Sequence, residues 1–170
     1  MTVIAKNIIL IGMPGAGKST LGILLAKQLG MDFVDTDILI QVAYGKTLQQ
    51  IINEFDYLRL REYEEQVLID LDCSGSVIAT GGSAVYSEPG MLQLKTNAQT
   101  VFLDLDLKQL TQRVDDFDHR GIARRNDQSF ADLYAERRPL YQKYADISID
   151  CNYLDIEQSL LAITKKLNNQ

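Results

Sequence analysis

Tryptophan is absent from this sequence, histidine occurs once, cysteine twice and proline three times in 170 residues. The two cysteines, Cys73 and Cys151, make neither a metal-ligand spacing nor a disulfide framework, so free thiols in a reducing cytoplasm are the expectation. His119 has no Asp or Ser partner at a motif spacing and reads as an exposed loop histidine rather than a catalytic base. Long apolar runs are missing as well. The stretch at residues 8–11 is far too short for a signal h-region or a membrane span. Nor is there an excess of positive charge: a net charge of -6 argues against a nucleic-acid surface. No repeat, low-complexity tract or linker interrupts the chain. What is present is ordinary globular composition, 46% hydrophobic and 24% charged, most economically one domain over residues 1–170 with a real core.

Against that plain background one stretch stands out. Asn7-Ile8-Ile9-Leu10-Ile11 reads as a buried strand and runs straight into Gly12-Met13-Pro14-Gly15-Ala16-Gly17-Lys18-Ser19-Thr20. A helical pattern opens at once, with Leu21, Leu24, Leu25 and Leu29 on one face and Gly30 as the stop. Strand, glycine loop and helix start are the context that makes this spacing a phosphate cradle. Gly12, Gly15 and Gly17 free the backbone so that successive N–H groups converge on one anion. The helix start adds unpaired N–H groups and a positive dipole end. Lys18 can reach the β- and γ-phosphates, and the Ser19 hydroxyl can ligate Mg²⁺. The spacing arises by chance in roughly one chain in 200 at average glycine usage, before the flanks are considered.

The rest of the chain alternates. Residues 31–35 read as a second strand, 38–55 as two helical pieces broken at Gly45, and 57–72 as a longer helix. Leu48, Ile51, Ile52 and Phe55 form the apolar face of the second piece. Ser76–Ala79 is a third strand, 87–95 a short helix with Pro89 in its first turn, Thr100–Leu103 a fourth strand and Leu107–Val114 a helix. Asp115 to Gln128 lacks periodicity. Ser129-x-x-Asp132 resembles a capping box for a helix to about Tyr144 that contains Pro139. Ile147–Ile149 is the last strand and Ile156–Leu167 the last helix. This alternation predicts an α/β fold: a five-stranded parallel sheet covered on both faces, with ligands at the carboxyl ends of the strands.

Several residues could carry chemistry. A P-loop enzyme needs an acid at another strand end, and both Asp35 and Asp104 qualify. Asp35 is favoured because Asp37, two residues on, allows one carboxylate to face a metal while the other meets a hydroxyl. The competing reading of Asp35-Thr36-Asp37 is a helix cap. Asp104 reads as a loop or cap residue. Arg61 shares a stripe with Glu64, Leu68 and Leu71, which suits either a grip on an anionic guest or a local ion pair with Glu64. Arg137 aligns with Phe130, Leu133, Tyr134, Tyr141 and Tyr144, where a charge is costly unless something negative meets it. Arg138 points about 100° away. Arg120, with Gly121 as a hinge, reads either as a mobile phosphate-closing arginine or as a solvated loop residue. Thr80-Gly81-Gly82-Ser83 is a turn where a backbone can come close to a ligand.

Together these residues resemble the shikimate kinases, and the resemblance spans nearly the whole chain. Gly12–Ser19 matches the Walker A loop, Asp35-Thr36-Asp37 the Asp-Thr-Asp motif, and Leu60-Arg61-x-x-Glu64 the Phe-Arg-x-x-Glu pattern. Gly81-Gly82 falls on the Gly-Gly-Gly loop, and Arg137-x-Pro139-Leu140-Tyr141 matches Arg-x-Pro-Leu-Tyr. The resemblance implies a three-layer α/β/α P-loop kinase of the nucleoside-monophosphate-kinase type. Its core would be residues 1–34, 76–113 and 145–170, with a helical substrate-binding insert at 35–72 and a lid at 114–128. It implies ATP with Mg²⁺ and transfer of the γ-phosphoryl group to a hydroxyl of a small carboxylated alcohol, shikimate first. Lys18, Asp37 and Arg120 would be catalytic. Gly12, Gly15, Ala16, Gly17, Lys18, Ser19, Thr20, Arg113 and Arg120 would bind ATP. Asp37, Arg61, Gly81, Gly82 and Arg137 would hold the substrate, Glu64 would brace Arg61, and Ser19 with Asp35 would take the metal. A monomer free of nucleic acid and membrane is implied. The sequence departs from the pattern at Ser83, at Gly121-Ile122 in place of Pro-Leu, and at Cys151–Asp155, which lacks an arginine and a proline. Those departures keep two alternatives open: a relative acting on another hydroxy acid or hydroxy amino acid, and a nucleotide-binding regulator without turnover.

Overall fold

A computed structural model describes residues 6–114 and 120–168. Five strands form one sheet: β1 (Asn7–Ile11), β2 (Asp32–Asp35), β3 (Ser76–Ala79), β4 (Ala98–Asp104) and β5 (Ile147–Asp150). The order is β2-β3-β1-β4-β5 and every pairing is parallel. All of β1 and β3 is buried, which is why these segments are continuous apolar runs: each face of the sheet is covered by helices. β1 lies between β3 and β4, so the chain departs to opposite sides at its carboxyl end and leaves a crevice there.

Eight helices complete the element order among the described residues: α1 (Lys18–Leu29), α2 (Thr36–Tyr44), α3 (Leu48–Glu54), α4 (Tyr57–Asp70), α5 (Glu88–Lys95), α6 (Leu107–Arg113), α7 (Phe130–Tyr144) and α8 (Ile156–Asn168). Their ends follow local chemistry. Gly30 and Gly45 take left-handed conformations after α1 and α2. Thr47 with Gln50, and Ser129 with Asp132, close reciprocal capping boxes on α3 and α7. α7 runs on through Pro139. A 3₁₀ turn at Ala84–Tyr86, which no periodicity announces, precedes α5. No helix among the described residues is long and apolar enough to cross a membrane.

Two apolar cores result. The larger joins the sheet to α1, α5, α7 and α8. The smaller consists of Ile40, Ile51, Leu60 and Ala123, with Tyr44 and Tyr63 stacked beside it at 3.6 Å between ring centroids. It ties α2, α3 and α4 to the segment after residue 120. Three expected core residues are not in either, and the first, Leu24 on α1, is half-buried. Leu29, at the last turn of α1, is 37% exposed, and Phe55, which caps α3 rather than continuing it, is 48% exposed. In these last two cases the helical stripe runs past the point where another element covers it. Residues 115–119, with His119 and the first part of the expected lid, lie outside the described residues.

Candidate active site

The loop between β1 and α1 is built for an anion. Gly12, Gly15 and Gly17 all take positive φ (151°, 84° and 91°), a region closed to most side chains. The Lys18 ammonium lies inside the loop, donating to the Gly12 carbonyl at 2.8 Å and the Met13 carbonyl at 3.0 Å. Burial is the main cause that lowers its pKa, to about 8. An ammonium so placed gains most from a negative charge that replaces its lost water.

Ser19 and Asp35 meet directly: the Ser19 hydroxyl donates to Asp35 Oδ2 at 2.6 Å. The other carboxylate oxygen of Asp35 accepts from the backbone N–H of Asp37 at 3.0 Å and of Ile38 at 3.4 Å, capping α2. The two readings of Asp35 are therefore not alternatives, since one oxygen caps while the other faces the loop. Asp104 is neither a cap nor a loop residue. It ends β4, and both its oxygens accept from Arg138, at 2.7 and 3.2 Å.

A cavity of about 430 Å³ opens beside the loop. Pro14, Lys18 and Ser19 line it from the loop side, Asp37 from α2, Glu64 from α4, Gly81 and Gly82 from the turn after β3, Arg120 from the later segment and Arg137 from α7. A second cavity of about 520 Å³ shares Gly17, Thr20 and Arg113 with the first and is closed by Leu154, Asp155 and Ile156. Ala16 lines only this second cavity, so the described loop touches both.

The turn after β3 is fixed from three sides. The Gly81 N–H donates to Thr36 Oγ1 at 3.1 Å, the Tyr141 hydroxyl donates to the Gly82 carbonyl at 2.7 Å, and Thr80 donates to the Leu10 carbonyl. A Cβ at Gly81 would overlap Glu64 Oε1 and come within 2.6 Å of Asp37 Oδ1. Asp37 is held back from ionising mainly by burial and next by Asp35, which lift its pKa to about 6. Burial first and Asp37 second lift Glu64 to about 7.

The two inward arginines converge from different helices. Arg137 is 1% exposed, and its Nη2 donates to the Ala123 carbonyl at 2.6 Å. Arg61 Nη2 points to the same carbonyl at 3.4 Å, and its guanidinium stacks 3.6 Å from the ring centroid of Tyr86. The Nε atoms of both are buried without a partner, and neither forms an ion pair among the described residues. The expected brace of Arg61 by Glu64 is not formed. Glu64 instead accepts from the Ser83 hydroxyl, and Tyr86 supplies the aromatic face under Arg61. Sequence reasoning missed Tyr86 and the Ala123 carbonyl, because a 3₁₀ turn and a backbone oxygen carry no periodic signal. It named Ser83 as a departure but not its partner. Arg61 stands just behind the cavity rather than on its wall, while Arg113 and Arg120 lie exposed at its rim.

The comparisons agree with this geometry. The family model described as shikimate kinase matches residues 14–168. A shikimate kinase of Bacillus anthracis is 33% identical over 164 residues, covering 96% of this chain and 99% of that protein. The solved shikimate kinase from Acinetobacter baumannii in complex with shikimate superposes with a TM-score of 0.84 at 30% identity, covering 98% of this chain and 95% of that one. The shikimate kinase from Aquifex aeolicus gives 0.81 at 32% identity, covering 96% of each chain. With three-layer architecture, phosphate loop and sequence in agreement over almost the entire length, the chain belongs to the shikimate kinase family.

Proposed function

We propose that this protein transfers the γ-phosphoryl group of ATP to a hydroxyl of shikimate, giving shikimate 3-phosphate and ADP. The observation that carries the acceptor side is the pair of guanidinium groups of Arg137, buried, and Arg61, half-buried, whose Nε atoms lie buried without a partner and which form no ion pair among the described residues. A buried Nε–H left without an acceptor is costly until a negative guest arrives, and a planar carboxylate in the cavity that Arg137 lines matches guanidinium donor geometry.

The division of labour follows from position. Backbone N–H groups from Gly12 to Thr20, with Gly15, Ala16 and Gly17 at the turn, would hold the phosphates, and Arg113 would border the nucleotide between the two cavities. Arg61 and Arg137 would hold the acceptor carboxylate, with Gly81 and Gly82 letting the ring come close. Asp37, with a pKa near 6, is ionised at neutral pH and would accept the hydroxyl proton as that oxygen bonds to the γ-phosphorus. The bond from the γ-phosphorus to the bridging oxygen breaks, and ADP leaves with the electron pair. Lys18 and Arg120 would meet the charge that spreads over the phosphoryl oxygens. The paired hydroxyl and carboxylate of Ser19 and Asp35 are hard oxygen donors that fit Mg²⁺, a cation that takes its other ligands from phosphate and water. Held by Ser19 and Asp35, Mg²⁺ would neutralise charge on the phosphates. The same reading has the chain act as a monomer in the cytoplasm.

Incubation with Mg-ATP and shikimate, followed by product mass, tests the proposal: one added phosphoryl group per acceptor supports it, and ATP turnover without a phosphorylated acid overturns it. Ser83 favours a second reading, in which another carboxylated polyol is the better acceptor. A panel of such acids in the same assay separates the two by kcat/KM.

A further inference from the structure

Glu64 is a carboxyl group with two unequal oxygens. It projects from α4 and is 2% exposed. Oε2 accepts a hydrogen bond from the Ser83 hydroxyl across 19 residues of sequence. Oε1 is buried with no hydrogen-bond partner among the described residues and lies against Gly81, where it converges with Asp37 Oδ1 on one point of the cavity wall. A buried acceptor left unsatisfied is costly, so a guest that donates to it relieves part of that cost. The donor inventory of the described site offers none: Arg61 stacks on Tyr86, Arg137 turns to the Ala123 carbonyl, and Lys18 sits in the phosphate loop.

We propose that Ser83 is a positioning residue for the acceptor: by donating to Oε2 of Glu64 it turns that carboxyl away from Arg61 and leaves Oε1 beside Asp37, where it accepts a second hydroxyl of the substrate. The inference rests on the acceptor reading above and narrows it to carboxylated vicinal diols. Asp37 takes the hydroxyl that is phosphorylated, and Glu64 takes the neighbour. Two carboxyl oxygens converging on one wall suit two hydroxyl groups on adjacent carbons.

The test pairs S83A with two acceptors, shikimate and its analogue lacking the hydroxyl adjacent to the one phosphorylated. S83A is expected to raise the shikimate KM about 5- to 30-fold, with kcat and the ATP KM changed by less than about twofold. For the deoxy analogue, parent and S83A are expected to share one KM, because the hydroxyl that Glu64 would accept is gone. An unchanged shikimate KM, or an equal rise for both acids, overturns the proposal. A second readout needs no substrate. The Ser83 bond favours the charged form of Glu64, so its loss in S83A should move the carboxyl titration of Glu64, followed by ¹³C NMR, to higher pH, while the facing groups Asp37, Arg61 and Arg137 stay in place. An unmoved titration overturns the positioning role, even if the parent proves to phosphorylate a different acid. A parent that phosphorylates no acid, with the titration moved, sinks the kinase reading alone.

Discussion

The two halves of the cavity are made in different ways. The phosphate side is a single run of nine residues, Gly12 to Thr20, whose working parts are backbone N–H groups, one ammonium and one hydroxyl. The acceptor side takes its side chains from α2, α4, α7 and the turn after β3, and its smaller core comes from four buried residues on four separate segments. A cradle made of backbone is rigid as soon as its strand and helix form. A pocket made of distant side chains depends on every element that delivers them, and it lies in the part of the molecule with the thinner core. Shape on one side is therefore local, and selectivity on the other is assembled.

That contrast can be broken or sharpened by substitution. The largest effect is expected from K18M, which should lower kcat by about 10³-fold or more while leaving the acceptor KM nearly unchanged, as steady-state kinetics on both substrates would show. A comparable rise in the acceptor KM would erase the distinction between the halves. Next comes G81A. A Cβ there collides with Glu64 and Asp37, so the acceptor KM should rise about 10- to 100-fold with Mg-ATP affinity intact. Loss of ATP binding in G81A would show that the two halves are one mechanical unit.

A smaller effect is expected from pH. In the proposed role Asp37 is ionised when it takes the hydroxyl proton, so kcat/KM should fall below an apparent pKa near 6, by about tenfold at one unit lower. The linkage runs the other way for stability. A carboxyl whose folded pKa is raised from 3.8 to about 6 costs stability that appears as pH rises above the unfolded value and is complete above the folded one. D37N should therefore melt at a higher temperature than the parent at pH 8, and the gain should vanish near pH 4. The smallest effect is expected from R138A. Its pair with Asp104 is part-exposed, so thermal unfolding should show a loss of no more than about 1 kcal/mol and kinetics little change.

The same contrast explains what could be read from the sequence. All five strands and the phosphate loop are local patterns, and the P-loop, Asp35, Asp37 and the sheet were legible from spacing alone. Arg61 and Arg137 were legible as inward arginines because each interrupts an apolar helical stripe. Their partners were not. Helical spacing predicts a tie between Arg61 and Glu64, yet Ser83, 19 residues downstream, takes the carboxyl and Tyr86 takes the guanidinium. Likewise Asp104 pairs with Arg138, 34 residues on, a contact that no local rule contains. Leu29 and Phe55 show the reverse error, since periodicity states which face is apolar but not where the covering element stops.

The central claim is that Arg61 and Arg137 wait for a carboxylate. Equilibrium titration of the Mg-ADP-bound protein with shikimate and with its neutral methyl ester tests it most directly, in the parent and in R61A/R137A. The account predicts that the ester binds the parent at least about 100-fold more weakly than the acid, and that the double variant no longer distinguishes them. Equal affinity of acid and ester for the parent would contradict it.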